Sequence, residues 1–453
     1  MTRTLFGTDG IRGIANQHPM TVEVAVAVGR ALTYWLGQEC GISRPRVLIG
    51  KDTRRSGYLF EMAFTSGVSS MGGEVYLVGV MPTPGMAYLT ARMRAHAGVM
   101  VSASHNPANY NGIKIFDQDG YKLPDKSEAA IEKIIHELDT NKLVVPPEQI
   151  GMVRRVNDAA GRYIAHLKES FPRHLSLDGL KIVVDCANGS AYRVGPMVLD
   201  ELEAEVIPVN YQPNGFNINL NCGSLSPWML SKEVLKHKAD LGVTFDGDAD
   251  RIILCDHEGS IIDGDQIMAI CALDMKKKGK LQKDTIVATV MSNIGFERAM
   301  NEAGIKVLRA QVGDRYVIEA MRDGGYGFGG EQSGHIIFYK YCTTGDGLMA
   351  AIQVLRNMLE QGKTLKELSL CMVKHPQALE SVRVREKIPF EKIPGVNDLI
   401  VSIEHKLGEK GRVLVRYSGT EPLARVMVEG ESQEEIDQFV HDISRLIHQT
   451  IGE

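Results

Sequence analysis

Several features that would place this chain in another class of protein are missing from its sequence. No uninterrupted apolar run approaches the ~18 residues that a membrane-spanning helix needs, so we expect no membrane partner. The opening residues lack the apolar stretch of a signal peptide, and a cytoplasmic location is therefore expected by default. The seven cysteines are scattered and never spaced as Cys-x-x-Cys, which argues against a disulfide framework and a zinc site.

An excess of positive charge is also missing. The formal net charge of -5 argues against a nucleic-acid partner, although a locally basic cleft can still attract an anionic substrate. The remaining composition, 44% hydrophobic and 24% charged, is that of an ordinary globular protein. Because 453 residues are too many for one core, we expect about three or four domains.

One pattern occurs three times: an apolar run rich in β-branched residues, a polar turn, a helical stretch and a second apolar run. The first run of each repeat lies at residues 47–49, 182–185 and 286–290. The second run of each repeat lies at residues 75–78, 206–209 and 306–308. Strands that alternate with helices predict three related α/β domains with largely parallel sheets covered on both faces.

The pattern changes near residue 370, where a smaller α+β domain is predicted. Its expected strands are residues 381–385, 399–403 and 412–417, and a helix is expected from Glu434 onward. A linker is predicted at residues 141–158, and a second boundary at the polar turn 256–259. The resulting domains are residues 1–153, 154–256, 257–370 and 371–453.

Three aspartates leave the end of one predicted strand together. Asp246, Asp248 and Asp250 lie between two apolar runs, and alternate hard oxygen ligands suit magnesium or calcium better than a transition metal. A calcium-binding EF-hand would need glycine at Arg251 and glutamate at His257, so we prefer magnesium. The alternative is a solvated acidic turn, in which the three carboxylates would repel one another without a cation.

A serine loop follows another apolar run. Ser102 and Ser104 belong to the sequence Ser-Ala-Ser-His-Asn-Pro, which taken alone is ordinary turn chemistry. Beside a magnesium site, however, a serine oxygen can carry a phosphoryl group whose charge the metal neutralises. A hydrolase triad is disfavoured because neither serine has a Gly-x-Ser-x-Gly elbow and the adjacent His105 is poorly placed as its base.

Two further loops have residue types that bind sugar phosphates. The first combines hydroxyls, a glycine and two guanidinium groups in Arg416, Ser418, Gly419, Thr420 and Arg425. It predicts a phosphate cradle, and the alternative is a hairpin turn with surface arginines. In the second loop, glycines flank Glu331 and Ser333, which can bind sugar hydroxyls, and the alternative is a glycine-rich turn.

Taken together, these four motifs resemble the α-D-phosphohexomutase family over essentially the whole chain, with one motif in each expected domain. The resemblance implies three similar mixed-sheet α/β domains and a smaller C-terminal α+β domain around a central cleft. It also implies an isomerase that moves a phosphate within one hexose through a phosphoserine. Gln332 and the segments 7–13 and 312–316 resemble the branch that acts on glucosamine phosphates, whereas the phosphoglucomutase and phosphomannomutase branch typically has methionine at the Gln332 position.

The resemblance also assigns roles. Ser104, which directly precedes His-Asn-Pro, resembles the phosphoserine, and Ser102 is the less favoured choice. One Mg²⁺ per chain would be held by a phosphate oxygen on Ser104 together with Asp246, Asp248 and Asp250. The reaction centre would be lined by Arg12, Lys114 and His335. Sugar hydroxyls would contact Glu331 and Ser333, and the distal phosphate would contact Arg416, Ser418, Gly419, Thr420 and Arg425.

The expected partner is a small sugar phosphate, with a homodimer left open as the assembly state. The expected reaction interconverts glucosamine 6-phosphate and 1-phosphate through a 1,6-bisphosphate and supplies amino-sugar nucleotide and cell-wall precursor synthesis. Lys114 or His335 would be the general base, and Lys114 would need a lowered pKa for that role. The competing hypotheses are the sister activity on glucose or mannose phosphates, a phosphatase with Asp246 as nucleophile, and a non-catalytic sugar-phosphate sensor.

Overall fold

The computed structural model describes residues 5–7, 9–418 and 422–453, and all counts of elements below refer to these ranges. The chain divides into two compact units. The first comprises residues up to Val290 together with Ile305–Leu370, and the second comprises Met291–Gly304 together with Cys371–Glu453. None of the described helices is long and apolar enough to cross a membrane.

Six described strands form the first sheet: β1 (Ile11–Ile14), β2 (Arg46–Lys51), β3 (Glu74–Val80), β4 (Ala97–Val101), β5 (Tyr110–Asp117) and β6 (Val153–Arg155). Its helices are α1 (Val22–Gln38), α2 (Arg55–Ser70), α3 (Thr83–Arg92) and α4 (Asp125–Glu137). The strand order is β1-β5-β4-β2-β3-β6, in which β1 and β5 run antiparallel to their neighbours. β6 lies within the predicted linker and pairs with β3, so that segment joins the sheet. β4 is buried at every position, as expected for a central strand.

Five described strands form the second sheet: β7 (Lys181–Asp185), β8 (Glu205–Val209), β9 (Leu241–Phe245), β10 (Ile252–Asp256) and β11 (Ile261–Ile262). Its helices are α5 (Ala159–Glu169), α6 (Val194–Asp200) and α7 (Pro227–His237). The order β11-β10-β9-β7-β8 combines parallel and antiparallel pairs. The turn 256–259, predicted as a boundary, connects β10 to its partner β11 within this sheet.

Four described strands form the third sheet: β12 (Thr285–Thr289), β13 (Lys306–Ala310), β14 (Phe328–Gly330) and β15 (Ile336–Phe338). The helices of this part of the chain are α8 (Gly264–Lys277), α9 (Ile294–Glu302), α10 (Asp314–Gly324), α11 (Gly347–Gln361) and α12 (Leu365–Ser369). The order β13-β12-β14-β15 is parallel except for the last pair. The chain segment that contains α9 belongs to the second compact unit.

The second unit contains a small antiparallel sheet: β16 (Gln377–Arg383), β17 (Arg412–Tyr417) and β18 (Leu423–Glu429), in the order β16-β18-β17. Two helices pack on it: α13 (Val396–Leu407) and α14 (Gln433–Ile451). Three mixed sheets with helices, followed by this smaller α+β domain, confirm the predicted fold class.

The strand predicted at residues 399–403 is wrong, because this segment lies inside α13. Its apolar run looks like a strand in isolation. The side chains that α13 buries are Val396, Ile403 and Leu407, which recur on one helical face, whereas Val401 is 55% exposed. A five-residue window was too short to distinguish the two periods, and packing on the sheet decides in favour of the helix.

Candidate active site

Ser104 lies in the loop that follows β4; this loop and the first residue of β5, residues 102–110, are hereafter called the serine loop. The residue is 1% exposed and has a left-handed backbone, with φ of 52°, which is uncommon for a residue other than glycine. Its hydroxyl donates a hydrogen bond to Oδ2 of Asp246 at 2.5 Å. Two motifs that stand 142 residues apart in the sequence therefore meet at one buried point.

The aspartate hairpin consists of β9, the loop 246–251 and β10. Asp246 and Asp248 are fully buried and Asp250 nearly so, and one carboxylate oxygen from each lies within 4.8 Å of the others. Asp248 Oδ1 and Asp250 Oδ1 are buried without a hydrogen-bond partner. An unsatisfied buried acceptor is costly, and a hard cation would satisfy both oxygens. The donor set therefore fits a divalent metal ion.

The three carboxylates differ in their electrostatic surroundings. Burial, together with the negative charges of Asp250 and Asp248, raises the pKa of Asp246 well above its ordinary value. Burial alone would also raise the pKa of Asp250, but Lys114 and nearby cations outweigh it and hold this pKa well below the ordinary value. A bound cation would favour the ionised form of Asp246, so that this carboxylate could act as a metal ligand.

Lys114 points from β5 into the same cluster and is 1% exposed. Its Nζ lies 2.9 Å from Asp248, 3.4 Å from Asp9 and 3.6 Å from Asp250. Burial by itself lowers the pKa of Lys114, but these three carboxylates raise it above the ordinary value. This arrangement favours a charged ammonium, which is the opposite of the shift that a basic role requires.

His335 precedes β15 and is 2% exposed. Its Nδ1 lies 3.8 Å from Asp250 and its Nε2 lies 3.6 Å from Asp314. Burial lowers the pKa of His335, but these carboxylates raise it overall. The backbone N–H of Gly345 donates to Nε2 at 2.8 Å and so requires that nitrogen to be unprotonated. Protonation of Nε2 would break this hydrogen bond. The hydrogen bond therefore favours the neutral imidazole, whereas the carboxylates favour the protonated one.

Glu331 and Ser333 lie together in the loop before His335. Glu331 Oε2 accepts a hydrogen bond from Ser333 Oγ at 3.2 Å, and Oε1 accepts one from the N–H of Gly313 at 2.9 Å. The loop is joined to the aspartate hairpin by a bond from Ile252 N to Gly334 O at 3.0 Å. Gly334 has φ of 90°, and a Cβ there would lie 1.9 Å from Ile252 O, so only glycine fits.

Arg12 completes the predicted reaction centre within the first unit. It lies in β1, which pairs with β5, and its guanidinium reaches the serine loop at Asn106 Oδ1, 3.4 Å away. The same guanidinium donates to Asp9, which also accepts a hydrogen bond from Lys122. Arg12, Lys114, His335, Ser104 and the three aspartates are therefore parts of one network.

The predicted phosphate cradle lies in the second unit. Arg416 of β17 and Arg425 of β18 are direct cross-strand partners, so their side chains project from the same face of the sheet. An anion bound at this face would be attracted by both guanidinium groups. Ser418 is buried at the end of β17, whereas Gly419 and Thr420 lie outside the described residues.

Several side chains that fix these sites were not expected from the sequence: Asp52, Arg54, Thr83, Lys122, Asn219 and Lys387. Thr83 donates to Asp248 Oδ2 at 2.6 Å, and Lys387 donates to the carbonyl oxygen of Ser418 at 2.6 Å. One signal was present for Asp52 and Arg54. They follow β2, and the carboxyl ends of neighbouring parallel strands, here β2 and β4, meet at one edge of a sheet.

Comparison with known proteins identifies four domains along the chain. The chain matches four domain profiles of the phosphoglucomutase/phosphomannomutase family. The matches are α/β/α domain I at residues 3–142, domain II at 161–259, domain III at 263–374 and the C-terminal domain at 379–446.

Individual relatives match over almost the whole length. The phosphoglucosamine mutase of Pelobacter propionicus is 53% identical over 451 residues, covering 100% of this chain and 99% of the relative. That of Geobacter metallireducens is 52% identical over 450 residues, covering 99% of each chain.

Solved structures share the fold. A phosphoglucomutase/phosphomannomutase family protein from Burkholderia thailandensis has a TM-score of 0.81 at 21% identity, over 98% of this chain and 97% of that one. The Aspergillus fumigatus N-acetylphosphoglucosamine mutase, solved with GlcNAc-6P and magnesium, has a TM-score of 0.66 at 19% identity, over 99% and 96%. With four matched domains and relatives more than half identical along its length, this chain belongs to the phosphoglucomutase/phosphomannomutase family.

Proposed function

We propose that this protein is a phosphoglucosamine mutase that interconverts glucosamine 6-phosphate and glucosamine 1-phosphate. The observation that carries the proposal is the buried contact between Ser104 Oγ and Asp246 of the aspartate hairpin. The 53% identity to a phosphoglucosamine mutase over the full chain supports glucosamine as the sugar. The product would supply the synthesis of amino-sugar nucleotides and cell-wall precursors.

The proposed reaction has two phosphoryl transfers. In the first, the bond between phosphorus and Ser104 Oγ breaks, and a bond forms to the free C1 hydroxyl of the 6-phosphate, whose proton passes to a base. In the second, Ser104 Oγ takes the C6 phosphoryl group from the resulting 1,6-bisphosphate. The bond between phosphorus and the C6 oxygen breaks, that oxygen takes the proton back from the base, and the 1-phosphate is left. The phosphoserine is thereby restored, and no phosphate passes to water.

His335 is the better candidate for the base. General bases work best with a pKa near the operating pH, which is where an imidazole ordinarily titrates, and the carboxylates around His335 raise the pKa of its ring above the ordinary value. The carboxylates around Lys114 hold it protonated, which suits it to stabilise negative charge on the moving phosphoryl group. Arg12, bound to Asn106 of the serine loop, would add positive charge beside it.

Asp246, Asp248 and Asp250, with an oxygen of the phosphate on Ser104, would hold one Mg²⁺ per chain. When bound, the ion supplies positive charge that neutralises the transferring phosphoryl group. The two buried oxygens without partners on Asp248 and Asp250 support this assignment. Ser104 is only 1% exposed, so the oxygen that would carry the phosphoryl group is shielded from water.

The remaining residues would bind the rest of the substrate. Glu331 and Ser333 would contact the sugar hydroxyls. The phosphate that is not reacting would be held by Arg416, Ser418, Gly419, Thr420 and Arg425. These parts would belong to domains at residues 1–153, 154–256, 257–370 and 371–453. That the protein forms a homodimer and that it lies in the cytoplasm are predictions from the sequence.

The test is the activity of the purified, Ser104-phosphorylated protein with magnesium on glucosamine 6-phosphate, with glucose and mannose 6-phosphates in parallel. The expected result is formation of the 1-phosphate with preference for glucosamine. Preference for another hexose would contradict the choice of sugar but not the mechanism. Release of inorganic phosphate without isomerisation would replace the mutase by a phosphatase with Asp246 as the nucleophile.

A further inference from the structure

Arg54 is a fully buried arginine whose guanidinium faces the serine loop. Its two terminal nitrogens donate to four backbone carbonyl oxygens: Ser104 at 2.8 Å, Asn106 at 2.9 Å, Tyr110 at 3.1 Å, and Pro107. Arginine carries five N–H donors in a rigid planar fork, and four of them are used on this one stretch of backbone.

The fifth donor, Nε, binds Asp52 Oδ2 at 2.8 Å. The same carboxylate oxygen accepts a hydrogen bond from Ser102 Oγ at 2.7 Å, and Ser102 Oγ accepts one from the backbone N–H of Ser104 at 3.0 Å. Both backbone polar groups of Ser104 are thus tied to one ion pair, its N–H through Ser102 and its C=O through Arg54.

The geometry points to Asp52 and Arg54 as positioning residues that hold Ser104 in its left-handed conformation, with Oγ directed at the aspartate hairpin, through both phosphoryl transfers. This inference rests on the proposed role of Ser104 as the phosphoserine. Both residues act through the backbone of the serine loop. Burial favours the neutral form and raises the pKa of Asp52, but the Arg54 guanidinium at 2.8 Å opposes this shift and favours the ion pair.

A positioning device is needed here because the conformation of Ser104 is unfavourable by itself. A non-glycine residue with φ of 52° persists only where its surroundings fix it. Phosphorylation would add negative charge beside three aspartates, which increases the tendency of the loop to move away. Asn219 of the second domain supports the same backbone, donating to Ser104 O at 2.9 Å and Asn106 O at 3.0 Å.

The first test is Arg54→Lys in the full-length protein. Lysine keeps the charge but has three donors on one nitrogen and cannot bind four carbonyl oxygens and Asp52 together. We expect kcat per phosphorylated enzyme to fall about 100-fold, the effect of misplacing a reacting group by about 1 Å. The KM for glucosamine 6-phosphate should change less than about twofold, because substrate binding is not altered. Single-turnover transfer from the phosphorylated protein measures the step directly.

Two further variants separate positioning from stability. Arg356→Lys is the matched control, since this largely buried arginine binds Gln353 and Asp274 on α11 and α8. It should lower the melting temperature without changing kcat per phosphorylated enzyme. Ser102→Ala removes only the link between Asp52 and the N–H of Ser104, and should lower kcat roughly tenfold, as for one lost hydrogen bond.

The outcomes are distinct. A lower kcat with normal KM in Arg54→Lys and Ser102→Ala, together with a normal kcat in Arg356→Lys, supports the inference. Wild-type kcat in Arg54→Lys and in Ser102→Ala would overturn it. If Arg54→Lys does not fold, Ser102→Ala decides by itself, with wild-type kcat overturning the inference. If wild-type protein phosphorylated at Ser104 transfers nothing to the sugar, the proposed function fails first, and this role fails with it.

Discussion

The serine and aspartate region differs from the C-terminal arginine pair in how deeply its side chains are buried. In the first region, Ser104, Asp246 and Asp248 are at most 1% exposed and are fixed by hydrogen bonds. In the second region, Arg416 and Arg425 are only partly buried on a sheet face. A transferred phosphate must be held still and kept from water, whereas a bound phosphate must also be released. We therefore expect changes in the first region to alter the rate and changes in the second to alter affinity.

Ser104→Ala should have the largest effect. It removes the oxygen that carries the phosphoryl group, so isomerisation should fall by roughly 1000-fold or more, as for other catalytic nucleophiles. The fold should be retained, because alanine fits the space of serine, and circular dichroism checks this. Ser102→Ala is the control, since it should retain about a tenth of the activity and all of the phosphate on Ser104. Substantial isomerisation by Ser104→Ala would place the phosphoserine elsewhere.

Asp246→Asn tests whether the buried region requires a cation. Magnesium at 100 times its dissociation constant should stabilise the wild-type protein by about 2.7 kcal/mol, seen as a higher melting temperature. The variant should lose most of this increase. In metal-free buffer it should be the more stable of the two, because burial and repulsion disfavour the charged Asp246.

The matched control for this experiment is Asp256→Asn. Asp256 is also buried in β10, but its carboxylate accepts hydrogen bonds from the N–H groups of Glu258 and Ser260. It should respond to magnesium as the wild-type protein does. An equal magnesium response in Asp246→Asn and wild-type protein would remove Asp246 from the metal site.

Arg425→Ala tests the affinity side of the comparison. Loss of a charge-assisted contact should weaken substrate binding by about 2–3 kcal/mol, seen mainly as a higher KM. Arg383→Ala is the control, because this arginine of β16 is exposed and pairs with Glu453. It should leave KM unchanged. Unchanged substrate binding in Arg425→Ala would exclude Arg425 from the phosphate cradle.

The smallest effect on activity is expected for a buried acid outside both regions. Asp346 accepts hydrogen bonds from Tyr163 and from the N–H of Met349, and burial raises its pKa to about 6 from an ordinary value of 3.8. Because the folded protein binds the proton of Asp346 more tightly than the unfolded chain does, this protonation stabilises the fold below pH 4. The stabilisation is lost as the pH rises through 6.

Asp346→Asn should abolish this loss and keep the cap of α11, because asparagine also caps helices well. The difference in free energy of unfolding between variant and wild type should shift by roughly 1–3 kcal/mol in favour of the variant as the pH rises from 4.5 to 7. Urea denaturation at the two pH values measures the difference. A difference between variant and wild type that does not change with pH would contradict the raised pKa.

The parts of the site that could be predicted are those carried by short contiguous motifs. Each aspartate of the hairpin stands within a few residues of a buried strand, and so does Ser104. Residue type and position in the chain were therefore enough to propose these residues. The same holds for the arginine pair, whose two strands lie close together in the chain. The meeting of serine and aspartates was an expectation from family resemblance, because no local pattern joins residues 142 positions apart.

The remaining features depend on packing between distant segments. Thr83 contacts Asp248 across 165 positions, and Asp52 reaches Ser102 across 50, so neither bond has a local signature. The fold shows the same limit. The repeated α/β units could be predicted from long patterns, whereas residues 399–403 were assigned to a strand because the helical face of α13 extends beyond them, to Val396 and Leu407.

In the proposed reaction, one phosphoryl group passes from Ser104 to the sugar and the sugar's other phosphoryl group is transferred to Ser104, without release of inorganic phosphate. The most direct measurement starts from protein carrying a radioactive phosphate on Ser104, adds magnesium and an excess of glucosamine 6-phosphate, and follows the label. We expect the label to leave the protein and appear in glucosamine phosphates, with the serine phosphorylated again by an unlabelled phosphoryl group from the sugar. Label that remains on the protein, or appears as inorganic phosphate, would contradict it.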